Sequence, residues 1–284
     1  MNKHYSWQIF NGFYLKIIAF VLMTIDHVGL FMEMNGAALE VAGVFRIIGR
    51  LAFPLFVFLM VEGIRHTKCY WKYALRMGIV AIAVLITTVV IYYCFDSSMI
   101  AYSPLIDLLV CSCLLYLLKR KDKWTALIVL PLAYLALSFT TDVIEIKDHI
   151  TILWFPFYLR AGYSLWGLVL SLGFYFATPL ARIFLKSSDS TSAFTDTEVE
   201  RNVINILSTF FLFLGALAMY LLSFAPACNL FYGEIIMWAT LSGAFIMLYN
   251  GERGYNKKWF QYGSYLYFPL HLVVIFLIFF IIFR

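Results

Sequence analysis

Charge is what this sequence is short of. Asp, Glu, Lys and Arg supply 13% of its 284 residues, against about 25% in a soluble chain. Hydrophobic residues make up 63% and the mean hydropathy is +0.86, which excludes a water-soluble globule. Cysteine is scarce too. Cys69, Cys94, Cys111, Cys113 and Cys228 form neither a CxxC pair nor a zinc spacing. No metal is expected from them, and they read as packing residues in or beside apolar runs. No cleavable signal is expected either, because the first apolar run carries Lys16, Asp26 and His27 and no small-residue cleavage site follows it. No fixed-period repeat is evident, and 187–198 is a low-complexity patch.

What remains is a succession of apolar runs, at 13–32, 41–64, 77–95, 104–118, 124–140, 163–185, 203–224, 230–249 and 260–283. With about 20 residues needed per crossing, the expected fold is an all-α polytopic membrane bundle of roughly nine or ten spans. It forms a single transmembrane domain over 1–284, with a polar cytoplasmic loop at 186–202. A re-entrant or amphipathic element near 143–159 would be the tenth. The lead 1–12, with Tyr5, Trp7 and Phe10, suits an interfacial helix. The 28 Phe and 19 Tyr serve mostly as lipid-facing bulk and interface anchors.

The connections alternate in charge. Basic residues crowd 65–76, 119–123, 182–201 and 253–258, whereas the opposite connections hold only Lys147 and Arg160. By the positive-inside rule the N-terminus is cytoplasmic. The net charge of +5 therefore reflects inner loops rather than a nucleic-acid partner. Partners are the lipid bilayer and whatever the buried polar residues handle, and the oligomeric state, a homodimer included, is left open.

Ionisable groups at membrane depth cost several kcal/mol unless paired or facing a wet cavity, so Asp26 and His27 in the first run stand out. Lys16 and His27 are eleven residues apart, which places them within about 20° of one helix face and roughly 16 Å apart along the axis. Asp26 points about 100° away from His27, so each needs a partner from another span. Arg46 and Arg50 open the second run as an i, i+4 pair, with Gly49 allowing close approach and Pro54 loosening the helix. An Asp26–Arg50 pair across the first two spans is expected, either as a helix lock or as part of a site. Arg46 reaches either that pair or the outer headgroups. His27 suits proton transfer from an acceptor hydroxyl or amine, and a nearby guanidinium suits an oxyanion. Glu62 and His66 flank the inner end of the second span, as gate or as cap. The basic run with Arg65 and Lys68 suits a polyphosphate or is simply a positive-inside loop. Asp107, Glu234 and His271 are further ionisable groups at depth, each able to pair helices or line a cavity.

The blocks Leu15-Lys16-Ile17-Ile18-Ala19 with Ile25-Asp26-His27, Arg46 with Gly49-Arg50-Leu51-Ala52-Phe53-Pro54-Leu55-Phe56, and Val61-Glu62-Gly63-Ile64-Arg65-His66-Thr67 resemble the TraX family. So does the tail, Tyr249-Asn250-Gly251 and Tyr267-Phe268-Pro269-Leu270-His271-Leu272. The middle departs from it at Ser164, where glycine is expected. The family's founding member acetylates the N-terminus of a conjugative pilin. The family is similar in turn to acyltransferase family 3 and to the lysosomal heparan-sulfate acetyltransferase, which carry a basic residue, ten intervening positions and then a catalytic histidine in the first span. Lys16 and His27 fit that spacing, with lysine where arginine is usual.

The resemblance implies a bacterial cytoplasmic-membrane acyltransferase taking acetyl-CoA from the cytoplasm to an extracytoplasmic peptide or glycan acceptor. In that scheme His27 is base or acyl carrier, and Asp26, Arg50 and Arg46 orient or stabilise. Lys16, Glu62, Arg65, His66, Lys68 and His271 contact the donor. His27 and the guanidiniums are expected to share one buried polar chamber open to the cytosol. The rival from the residues alone is a proton-coupled transporter with Asp26, His27 and Arg50 as relay. A non-catalytic scaffold would leave those charges unexplained.

Overall fold

The computed structural model describes residues 5–95, 103–188, 197–225 and 233–283. The chain forms helices α1 (Gly12–Met34), α2 (Leu39–Gly49), α3 (Ala52–His66), α4 (Tyr70–Phe95) and α5 (Pro104–Arg120). After a 3₁₀ turn at Lys123–Ile128 come α6 (Val129–Asp148), α7 (Ser164–Ser188) and α8 (Thr197–Leu222). Short α9 (Glu234–Met237) and α10 (Ser242–Met247), joined by a 3₁₀ turn, precede α11 (Lys258–Phe283). Among the described residues there is no strand beyond one isolated bridge, Phe10 to Tyr249.

Among the described residues seven helical stretches are long and apolar enough to cross a membrane, and the chain is an integral membrane protein. Their outward faces show why lipid is the solvent. Along α4, Trp71, Leu75, Ile79, Ile82, Ile86 and Val90 recur at helical spacing and are 47–65% exposed, an apolar stripe that water would not tolerate. The inward faces supply the core, in which Leu15, Leu55, Trp166, Leu170 and Leu212 are completely covered.

The expected runs fall on helix wherever they are described, but they are partitioned differently. The fourth is α5, only 17 residues long. The eighth, where described, breaks into α9, a 3₁₀ turn and α10, short of a regular crossing. The element expected at 143–159 does not form: α6 continues to Asp148, and a single 3₁₀ turn, Phe157–Leu159, follows. Residues 5–11 are not an interfacial helix either. Phe10 donates its N–H to the Leu248 carbonyl and accepts from Asn250 N–H, tying the lead to the segment after α10. Cys228, most of the low-complexity patch, and the side chains of Cys94 and Glu234 lie outside the described residues.

Two sequence details position the site. The second run bends between Gly49 and Ala52 because Pro54 has no N–H for the Arg50 carbonyl. At the same place α1 and α2 touch so closely that a Cβ on Gly49 would sit 2.1 Å from the Asp26 Cβ. Ser164, at the start of α7, has φ +21°, at the edge of the region that favours glycine, which accounts for the glycine expected there.

Gly49→Ala should therefore destabilise the protein by about 1–3 kcal/mol through overpacking, read as a lower midpoint of thermal unfolding in detergent. Ser164→Gly should leave that midpoint unchanged or raise it, by about 1 kcal/mol at most.

Candidate functional site

The basic connections meet at one end of the bundle. Lys119 donates to the Ile64 carbonyl at 3.3 Å, and Arg201 of α8 lies 3.2 Å from Glu62 of α3. Between α1, α3, α4 and α11 this end opens into a cavity of about 780 Å³, within the range of small-molecule sites. Its cationic wall comes from Lys16, Lys68, Lys72, Arg76 and Arg253, with His66 and Glu62 beside them. Cys69 also lines it and is exposed, so this thiol faces the cavity rather than packing in an apolar run. Lys16 Nζ stands 5.7 Å from the centre of the Phe260 ring, a cation–π contact that holds it against α11. On α1, α3 and α11 its lining ends at Phe20, Phe56 and Phe268, whose rings pack pairwise at 5.4–5.8 Å.

Beyond that wall the same face of α1 continues against α11. Thr24 donates to the Phe20 carbonyl at 2.9 Å and is hydrogen-bonded to the Tyr267 hydroxyl. One turn further, His27 Nδ1 lies 2.8 Å from the Met23 carbonyl and 3.3 Å from His271 Nε2. His271 Nδ1 lies 2.8 Å from the Tyr267 carbonyl, and its ring stacks on Tyr267 at 5.2 Å and 6°. Lys16, Phe20, Thr24 and His27 thus form one stripe facing α11, as the eleven-residue spacing requires.

Asp26 turns to the other side. Its carboxylate accepts from Arg46 Nη1 at 2.6 Å and from Arg50 Nη2 at 3.2 Å. Arg46 is drawn on to Glu33 at 3.4 Å, so it pairs inside the protein rather than with headgroups. Arg50 also donates to the Tyr163 hydroxyl at 3.1 Å. Tyr163 stacks on Phe53 at 4.1 Å, and its N–H donates to Asp107. The completely buried Asp107 carboxylate sits at the start of α7, where helix N–H groups favour an anion. This polar chain joins α1, α2, α5 and α7.

The single chamber expected for His27 and the guanidiniums is thereby divided. Adjacent residues on a helix diverge by about 100°, so His27 faces α11, Asp26 faces α2, and the cavity lining includes neither. Of the residues expected at the donor, Lys16, Glu62, His66 and Lys68 line the cavity, whereas Arg65 and His271 do not. Arg65 pairs with Glu62 at 2.5 Å and donates to the Phe174 and Tyr175 carbonyls. Pro179 leaves the Tyr175 carbonyl without its helical N–H, and the guanidinium takes that place.

Sequence reading did not single out Arg201, which completes the Glu62 cluster, nor Tyr267 and Thr24 around the histidines. Tyr267 is legible in retrospect as the i−4 neighbour of His271. Arg160, placed in an outer connection, is completely buried and holds Asp142 at 2.8 Å, Glu145 at 2.6 Å and the Phe155 carbonyl at 2.7 Å. It ties down the 149–163 connection.

Removing Asp26 leaves two mostly buried guanidiniums facing each other. Asp26→Ala should lower stability by about 3 kcal/mol, the lower end of the range for a broken buried pair. The midpoint of thermal unfolding in detergent checks this, and Asp26→Glu should recover part of it.

The TraX protein family model matches residues 11–176, more than half of the chain and the part that carries Lys16, Asp26, His27, Arg46, Arg50 and Tyr163. A protein of Dichelobacter nodosus described as "Probable fimbrial assembly protein FimC, serogroup H1" is 27% identical over 273 residues, covering 94% of this chain and 94% of that protein. No solved structure matches. The matched segment contains the cavity-lining ends of α1, α3 and α4 together with the paired charges of α1 and α2, and the chain belongs to the TraX family.

Proposed function

We propose that this protein is a membrane-embedded acyltransferase that moves an acetyl group from acetyl-CoA to an acceptor on the far side of the bacterial cytoplasmic membrane. The N-terminus and the cavity mouth then face the cytoplasm. The observation that carries the reading is the cavity of about 780 Å³ with Lys16, Lys68, Lys72, Arg76 and Arg253 in its wall, ending two helical turns short of His27 on the same face of α1. Its size and charge suit a coenzyme with phosphates at the mouth and a long thioester arm directed inward.

In this reading His27 takes the proton of the acceptor amine or hydroxyl as that atom attacks the thioester carbonyl. The C–S bond breaks, and the proton passes from the imidazolium to the departing thiolate, giving free coenzyme thiol. An alternative order, with the acetyl group first on His27, gives the same products. Asp26, Arg46 and Arg50 position α1 against α2 and so orient His27. Phe20, Phe56 and Phe268 must part for the arm to reach it. The relative from Dichelobacter nodosus, described as a fimbrial assembly protein, favours a pilin-like peptide N-terminus over a surface glycan as acceptor. A proton relay through Asp26, His27 and Arg50 has less support, because the imidazole and the carboxylate face different helices.

Purified protein with [¹⁴C]acetyl-CoA should release or transfer label, and His27→Ala should reduce the rate by about 100-fold or more. Charge reversal at Lys68 and Lys72 should instead raise the KM for acetyl-CoA by about tenfold, two exposed charge contacts with phosphate being worth roughly 1.4 kcal/mol together. Wild-type protein that binds coenzyme A and never turns over with any peptide or glycan acceptor would refute the proposal.

A further inference from the structure

The hydrogen positions around the two histidines follow from counting donors. Carbonyl oxygens only accept. His27 Nδ1, 2.8 Å from the Met23 carbonyl, therefore carries a hydrogen, and so does His271 Nδ1, 2.8 Å from the Tyr267 carbonyl. A neutral imidazole carries one N–H, so Nε2 of His271 is a bare lone pair. It lies 3.3 Å from His27 Nδ1, whose hydrogen is then shared between this nitrogen and the Met23 carbonyl. The remaining basic atom of the pair is Nε2 of His27.

The neighbours fix this arrangement. Thr24 spends its only hydroxyl hydrogen on the Phe20 carbonyl, so in the Thr24–Tyr267 contact the phenol donates. The Tyr267 ring is held by that bond and stacks nearly parallel on His271, which sets the plane from which its Nε2 addresses His27.

We infer that His271 is a positioning residue for His27: its Nε2 accepts the His27 Nδ1 hydrogen, holding the lone pair of His27 on Nε2 and aiming it as the proton-accepting atom. This rests on the acyltransferase reading for its purpose, but the proton arrangement stands independently of it. A proton gained by the pair goes to His27 Nε2, because on His271 Nε2 it would oppose the His27 N–H. His271 thus plays the part that a carboxylate plays behind the imidazole of a hydrolase triad, as a neutral acceptor suited to a low-dielectric site. It lies off the cavity wall, so coenzyme binding does not depend on it.

Two measurements test this on the full-length protein in lipid. The first is ¹⁵N-histidine NMR, with His27 and His271 assigned through single substitutions. Protonated Nδ1 and bare Nε2 are expected on both rings, with a short contact from His271 Nε2 to the His27 Nδ1 hydrogen. His271→Leu should shift the His27 Nδ1 signal. The second is kinetics with acetyl-CoA. His271→Leu should lower kcat by about 10- to 100-fold with KM for the donor unchanged, and His271→Gln, whose amide oxygen can accept the same hydrogen, should restore much of it. If His271→Leu does not assemble, the wild-type spectrum and His271→Gln decide. A proton on His271 Nε2, an unmoved His27 signal in His271→Leu, or a rise in KM instead of a fall in kcat would overturn the inference. An inactive wild type with the expected spectrum would overturn the catalytic purpose alone.

Discussion

An ionised side chain inside a bilayer has no water to pair with, and this molecule is arranged around that constraint. Among the described residues, three clusters of paired charges each join different elements. Asp26 receives Arg46 and Arg50 and binds α1 to α2. Glu62 receives Arg65 and Arg201 and binds α3 to α8. Arg160 gathers Asp142 and Glu145 and fastens the connection between α6 and α7. Between helices in lipid, apolar contact offers no advantage over the surrounding chains. Pairing of this kind therefore does much of the work of fixing helix against helix.

One cluster also takes up a backbone group that a proline releases. Pro179 denies a hydrogen bond to the Tyr175 carbonyl, and Arg65 supplies it from another helix. The end of α3, which lines the cavity, and the bend of α7 are thereby mechanically joined. Asp107 performs a related task at the start of α7, where its carboxylate receives the Tyr163 N–H, while the Tyr163 hydroxyl reaches Arg50. The start of α7 is thereby tied to the charge pairs that hold the first two spans, and its Tyr175 carbonyl to the Glu62 cluster.

Much of this was legible in the sequence because it is local. Apolar runs announce the long helices, the alternation of Lys and Arg separates the two ends, and the position of Arg50 pairs it with Asp26 across a short hairpin, Arg46 being left open between that pair and the headgroups. The spacing of Lys16 and His27 set both on one helix face, and both meet α11. What could not be read is long-range. His27 and His271 are 244 residues apart, and nothing near either announces the other. Arg201 looked like a loop charge until α8 was packed on α3. The break at 50–51 was foreshadowed by Pro54, whereas the division of 234–247 into short pieces depends on tertiary packing that periodicity does not encode.

The ring cluster of Phe20, Phe56 and Phe268 carries a consequence for bioenergetics. A polar pocket that ran on to a pair of imidazoles would be the beginning of a proton wire, and a membrane that holds a proton gradient cannot tolerate an open one. Three phenylalanines across the passage offer no site for a hydrated ion, so a pocket this deep can exist without dissipating the gradient across the membrane.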